Sequence, residues 1–340
     1  MNRTAVVGCG HWGANHVRVL AELRGAARVV AVDVRESRLE RIAAAFAGVA
    51  RERTVEAVLS DPTVDSVVIA TPTETHFGLV KQALHAGKNV LCEKPLCQTS
   101  EQGRELVDLA SANGLRLAVG FVFLYNAGLR AVRQLIRQGE AGSVHYCAAV
   151  RTNLGPVRSD VNAAYDLAAH DIAVFNWLLD SSPERVSAVG GAFLQPGIED
   201  VVFISLAYPN GVMANVHASW LNPCKIRQMT VVGSLKMITW DDLNLQAPVA
   251  IYDKGVNPIE DTTDYGRFLR MTMWENDVRL PKISTTEPLR DQDAAFLRSL
   301  SADEPELPDG RFGLEVTRVL EAIGQSIASD GRPIGLPEVD

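Results

Sequence analysis

No C-x-x-C pair and no Cys/His cluster with zinc-like spacing occurs in this 340-residue sequence, and its five cysteines (9, 92, 97, 147, 224) are scattered. An odd, dispersed set supports neither a disulfide framework nor a structural metal site. Long apolar runs are missing as well. The longest, Leu117 to Tyr125, contains Gly120 and falls far short of the roughly 20 apolar residues that span a bilayer. A strand pattern begins by the fourth residue, which predicts no signal peptide and a soluble cytoplasmic protein. Basic charge is in deficit, with 33 Lys+Arg against 41 Asp+Glu and a net charge of −8. That excludes a duplex-binding protein, which carries a basic face. Glycine and proline, 26 and 16, are too few for a collagen-like or low-complexity chain. What is present is an ordinary globular composition, 47% hydrophobic and 22% charged, long enough for two domains with sizeable cores.

The first third alternates short apolar runs with helical patterns. RTAVVGCG, ARVVAVDV, VDSVVIATP, KNVLCEKP and RLAVGFVF read as strands. Between them lie ANHVRVLAEL, Glu36 to Phe46, Phe77 to His85 and Ser100 to Asn113, the last capped by Ser100. Uniformly apolar strands alternating with helices are the signature of a parallel sheet covered on both faces. Residues 1–120 are therefore expected to form a doubly wound α/β domain of the Rossmann type. Beyond it the rhythm changes. Helical patterns at 126–138 and 164–179 precede strands from Arg185 to Asp253, with hairpin signals PNG at 209–211 and GS at 233–234. Helical stretches at 288–301 and 310–329 close the chain. Residues 121–340 are expected to form an α+β domain on one large open, mainly antiparallel sheet, serving substrate binding and oligomerisation.

Gly8-Cys9-Gly10-His11-Trp12-Gly13 falls between the first strand and the first helix. Its glycines allow a tight turn, close approach of backbone to a pyrophosphate, and close helix–strand packing. Asp33 ends the next strand, where a carboxylate binds the ribose 2′-hydroxyl of a dinucleotide. It would repel a 2′-phosphate and so favours NAD, while Arg35 and Arg38 close behind it keep NADP open. Thr71 and Pro72 sit at a strand's carboxyl end, where an open α/β sheet binds its ligand. Thr73 is placed to cap the following helix, and His76 reads either as a surface histidine or as a cofactor neighbour. Glu93-Lys94-Pro95 follows the fourth strand. A lysine there can exchange the proton that accompanies hydride transfer; the alternative is an ordinary turn lysine. Asp166 and His170 stand at i and i+4 of a helical run and share one face. A histidine held by a carboxylate handles protons, the alternative being a capping or core histidine. No further ligands accompany them, so no metal is expected.

Together VVGCGHWGANH, VIATPTETHFGLVKQALHAGKNVLCEKPL and DLAAHDIAVFNWLL resemble the Gfo/Idh/MocA oxidoreductases (glucose–fructose oxidoreductase, inositol dehydrogenase and relatives) over nearly the whole chain. The resemblance implies that Lys94, Asp166 and His170 surround the substrate carbon, with Asp166 orienting His170. It implies an NAD site, with NADP possible, from Gly8, Gly10 and Gly13 with His11 and Trp12, from Asp33 with Arg38, from Thr71, Pro72 and Thr73 with His76, and from Glu93 with Lys94. It also implies a cis Lys94–Pro95 bond and substrate contacts from Tyr125, Arg158 and Asn162 beside the catalytic three. FLYN (123–126), NLGPVRSDVN (153–162) and ITWDDLN through IYDKG (238–255) are similar to the branch associated with nucleotide-sugar and amino-sugar biosynthesis. Members of that branch oxidise a sugar C3 hydroxyl or reduce the ketone. The other readings on this fold are a cyclitol or free-sugar dehydrogenase, an NAD-dependent glycosidase and a cofactor-sensing regulator. Asp166-Leu-Ala-Ala-His170 departs from many relatives, which carry glycine or proline at its middle, and that alters the loop shape. Arg227, Arg267 and Arg270 are further candidates to face a substrate phosphate. Apolar residues on both faces of VVFISLAYP and VMANVHASW predict a homodimer or homotetramer.

Overall fold

The computed structural model describes residues 2–259, 270–302, 304 and 307–337. The chain forms two compact units, each discontinuous in sequence. The first comprises Met1–Tyr125, Arg158–Ala169 and Thr286–Glu321; the second comprises Asn126–Val157, His170–Thr285 and Ala322–Asp340.

Six parallel strands build the first unit: β1 (Arg3–Val7), β2 (Val29–Val32), β3 (Ala50–Glu52), β4 (Val64–Ile69), β5 (Asn89–Glu93) and β6 (Leu117–Gly120), in the order β3-β2-β1-β4-β5-β6. Helices α1 (His11–Arg24), α2 (Glu36–Ala45), α3 (Val55–Leu59), α4 (His76–His85) and α5 (Ser100–Ala112) lie between them in sequence. All four residues of β2 and of β6 are buried, because helices cover both faces of a parallel sheet. Val17 and Leu20 of α1 pack with Val6, Val29, Ala31 and Phe296, each such buried aliphatic contributing ~1.5–3 kcal/mol. Strand order reverses between β1 and β4, so the crevice for a ligand opens at their carboxyl ends. The outer edge of β6 is covered: the Val119 N–H donates to the Pro308 carbonyl at 2.8 Å, and Ala118 bridges Asp309.

The second unit begins with α6 (Ala127–Arg137), capped by the Asn126 side chain, and β7 (Val144–Leu154). After α7 (Ala169–Leu179) come β8 (Arg185–Gly191), β9 (Val201–Ala207), β10 (Met213–Ser219), β11 (Leu221–Gly233), β12 (Met237–Asp241), β13 (Val249–Ile259) and β14 (Arg270–Arg279). Helix α8 (Pro288–Ser299) and α9 (Gly310–Ala328) as far as Glu321 belong to the first unit, and the rest of α9 with the short β15 (Ile334–Gly335) belongs to the second. The nine strands run β14-β13-β12-β11-β7-β10-β9-β8-β15, antiparallel throughout except for the parallel β7–β10 pair. The PNG signal is the β9–β10 turn, with Asn210 and Gly211 at φ of 63° and 78°, a left-handed conformation those residue types tolerate. Among the described residues no helix is long and apolar enough to cross a membrane.

Three local expectations change. Thr99, not Ser100, caps α5, its hydroxyl accepting from the Gln102 N–H at 3.3 Å; Thr99 is the last extended residue, and a cap must precede the helical φ/ψ. Thr73 caps nothing: it opens a single 3-10 turn behind Pro72 and is buried. The run 164–179 is not one α-helix. Ala164–Ala168 forms a π-helical turn before α7, and the Ala169 N–H reaches back to the Ala164 carbonyl. Four fully buried alanines (163, 164, 168 and 169) surround that wider turn, and wide turns of this kind concentrate at functional sites.

Candidate active site

The turn after β1 is glycine by necessity at two of its three positions. Gly8 has φ of +90°, and a Cβ there would lie 2.7 Å from the Ala70 carbonyl oxygen; at Gly13 it would lie 1.7 Å from that of Gly8. Gly10 has nothing within 4 Å of an added Cβ, so the fold does not require it and its open face is left for a ligand. Helix α1 starts at His11 with no side-chain cap and no acidic residue in its first turn. Its N–H groups and the positive end of its dipole therefore suit an anion. Trp12 stands half exposed beside them.

Asp33, directly after β2, accepts hydrogen bonds from the Cys9 N–H (2.7 Å), the Arg35 N–H (2.9 Å) and the Arg38 guanidinium (3.0 Å). Burial opposes its ionisation, but these donors outweigh it and hold the carboxyl below the usual range. A cavity of about 530 Å³ adjoins, lined by His11, Asn15, Arg38, Arg41 and Phe46 among others. The turn, the uncapped helix and the ionised Asp33 fit a dinucleotide: pyrophosphate on α1, ribose hydroxyls on Asp33.

At the ends of β4 and β5 a second set of groups gathers. His76 is no surface histidine. Its buried ring lies with Nδ1 2.8 Å from the Pro95 carbonyl and Nε2 3.0 Å from the Thr71 carbonyl. Burial depresses its pKa, so the neutral ring donates to one of them at a time and braces Thr71-Pro72 against the Lys94–Pro95 turn. That peptide is cis. The Lys94 ammonium donates to the Asp166 carbonyl at 2.6 Å and lies 3.6 Å from the Asp166 carboxylate. The Arg158 guanidinium donates to the same carboxylate at 3.2 Å and to Asp160 at 2.9 Å. Hydrogen bonding from Arg158 pulls the Asp160 carboxyl below its ordinary range. Asp166 thus sits between two cations. Asn162, two residues before the π-helical turn, accepts from the Tyr165 N–H at 3.1 Å. Tyr125 ends a short 3-10 turn and is buried.

His170 stands in the first turn of α7, in the second unit. Next to it, Asp171 receives both arms of the Arg151 guanidinium of β7 at 2.8 Å each, and both side chains are buried. Arg227 pairs with Asp242 at 3.1 Å; Arg267 lies outside the described residues, and Arg270 begins β14. Among the described residues no three His, Cys, Asp or Glu side chains are grouped to hold a metal ion.

Two features escape the sequence argument. One is the Arg151–Asp171 clamp. The other is His16 of α1, wholly buried, with Nε2 3.0 Å from Glu93 and Nδ1 2.9 Å from Asp293 of α8. The only local signal for it is a polar residue beside Val17, Val19 and Leu20 among the buried positions of α1.

A parallel sheet whose glycine turn suits an anion, beside a lysine held on an aspartate after β5, is the arrangement of a dinucleotide-dependent oxidoreductase. Residues 2–121 match the model of the GFO/IDH/MocA oxidoreductase family with its NAD-binding Rossmann fold, and residues 129–239 match the GFO/IDH/MocA C-terminal domain. The chain belongs to this family and is an NAD-dependent enzyme. It is similar to inositol 2-dehydrogenase 2 of Paenarthrobacter aurescens, 28% identical with 97% of each chain covered. It is also similar to the UDP-N-acetylglucosamine 3-dehydrogenase of Acidithiobacillus ferrooxidans, 29% identical over 92% of this chain and 93% of that one. Among solved structures, GenD2 from gentamicin A biosynthesis, in complex with NAD, superposes with a TM-score of 0.81 at 25% identity, covering 99% of this chain and 97% of that one.

Proposed function

We propose that this chain transfers hydride between NAD and a secondary alcohol or ketone of a sugar, and that the substrate is a nucleotide sugar reacting at C3. The observation that carries the reaction is the Lys94 ammonium, fixed on Asp166 at the carboxyl end of β5. Bound NAD supplies the hydride acceptor. Gly8 to Gly13 and the α1 N-terminus hold its phosphates, and Asp33 takes the ribose. Lys94 donates a hydrogen bond to the reacting oxygen and stabilises developing alkoxide charge. His170 carries the hydroxyl proton. Arg158 braces the Asp166 carboxylate by a hydrogen bond of 3.2 Å.

Similarity over more than nine-tenths of both chains to a UDP-N-acetylglucosamine 3-dehydrogenase supports the nucleotide-sugar reading. The inositol dehydrogenase, at nearly the same identity, supports a cyclitol as the second reading. The reading includes a cytoplasmic homo-oligomer built on the second unit's sheet, where Phe203 stacks on His217 with Tyr146, Val189 and Met213 also exposed. A panel of nucleotide sugars, sugar phosphates and cyclitols, tested with NAD and NADP by nicotinamide absorbance, decides the substrate. Response to a nucleotide sugar and not to the free sugar is expected; response to myo-inositol alone sinks the C3 assignment. Lys94→Ala is expected to lower kcat by about 10²–10⁴-fold, and unchanged turnover removes Lys94 from the reaction.

A further inference from the structure

The buried ring of His16 touches carboxylates on both nitrogens. Nε2 lies 3.0 Å from Glu93 Oε1, and Nδ1 lies 2.9 and 3.0 Å from the two oxygens of Asp293. Ionised carboxylates only accept hydrogen bonds, so a neutral imidazole, with one N–H, satisfies one side and repels the other. The ring that satisfies both is the imidazolium. Burial opposes that charge, but Asp293 and then Glu93 overcome it and push the His16 pKa up to about 10. Burial holds the Asp293 carboxyl above the usual carboxylate range, and the imidazolium offsets only part of that rise.

The position of this cation matters more than its strength. Glu93 is the last residue of β5 and immediately precedes Lys94. Its carboxylate lies over Gly120 of β6, where an added Cβ would stand 3.1 Å from Oε1. One oxygen is held by His16; the other lies 3.3 Å from the Lys94 N–H. Unheld, this carboxylate is a flexible anion one residue from the Lys94 ammonium. The charged groups facing His16 are Asp293 of α8 and Glu93 of β5. Near Lys94 lie Asp166 and its neighbour Glu93, with Arg158 behind Asp166.

We propose that His16 is a positioning residue: as an imidazolium anchored on Asp293, it locks the Glu93 carboxylate against β6 and keeps it from pairing with the Lys94 ammonium. Lys94 then keeps its hydrogen bond to Asp166 and meets the oxygen of the substrate. The same ring joins α1, whose first turn receives the cofactor phosphates, to the strand end that carries the lysine. The inference rests on the proposed role of Lys94, and its test is kept separate from turnover.

In protein with ¹⁵N-labelled histidine, His16, identified by sequential backbone assignment of the native chain, is expected to show two protonated ring nitrogens at pH 7 and at pH 9. A single-tautomer neutral ring, or titration near the ordinary value of about 6.5, overturns the proposal even if His16→Gln does not fold. In folded His16→Gln, labelled with ¹³C at lysine Cε, the Lys94 resonance is expected to titrate about half a unit to one unit higher than in the native chain. The freed carboxylate stabilises the ammonium. An unchanged midpoint, whatever the loss of thermal stability, shows a purely structural histidine and overturns the proposal. Full turnover in Lys94→Ala, with the His16 and Lys94 signals as expected, instead defeats the proposed reaction and leaves the clamp standing.

Discussion

Gly13→Ala tests the cofactor turn most directly. The added methyl would stand 1.7 Å from the Gly8 carbonyl oxygen and 2.8 Å from its carbonyl carbon. Both are backbone atoms, so no rotamer change relieves the overlap. Either α1 withdraws from the turn or Gly8 moves, and Gly8 is itself confined by the Ala70 carbonyl at 2.7 Å from its own notional Cβ. Overpacking of this kind costs about 1–3 kcal/mol when the structure can give, and each 1.4 kcal/mol is roughly tenfold in affinity. The expected result is a lower Tm together with NAD binding weakened about 10- to 100-fold by isothermal titration calorimetry. Gly10→Ala is the companion variant. Nothing lies within 4 Å of its Cβ, and its φ of −69° suits alanine, so the melting temperature is expected to hold. Affinity for NAD is expected to fall, because a methyl there meets the pyrophosphate. Native Tm and native NAD affinity in Gly13→Ala would refute the steric reasoning. A loss of stability in Gly10→Ala, equal to that of Gly13→Ala, would refute the division of labour between the two glycines.

Two further perturbations follow from buried charge. Arg151→Met leaves the Asp171 carboxylate buried without its bidentate partner; a loss of about 3–5 kcal/mol in denaturant unfolding is expected, largely recovered in Arg151→Met/Asp171→Leu, and an Arg151→Met midpoint equal to native sinks it. The His16 pKa, raised to about 10, means that the folded chain keeps a proton the unfolded chain loses above about 6.5. Its stabilisation is therefore complete below that pH and drains away as pH rises through 10. Urea midpoints are expected to fall more steeply between pH 7 and 10 in the native chain than in His16→Gln, and parallel slopes would contradict the charged clamp.

Local pattern carried the reading a long way. Gly8, Gly10, Gly13 and Asp33 were legible because a strand, a glycine turn, a helix and the next strand end lie within one short stretch of chain, and each requirement is set by neighbours. The parallel sheet was legible for the same reason: burial on both faces leaves uniformly apolar strands. Lys94 could be singled out as a charge after an apolar run, though its function entered through family resemblance. Tertiary structure alone decided the partners. Lys94 and Arg158 both reach Asp166, His16 takes Asp293 across 277 residues, and Arg151 of β7 reaches Asp171 on α7. It also decided that residues 158–169 and 286–321 belong with the first unit, and that the turn holding Asp166 is π-helical. Periodicity in a sequence reports which side of an element is buried. The partner and protonation of a buried charge depend on the summed field of groups brought together by folding, and no single stretch of the chain contains that sum.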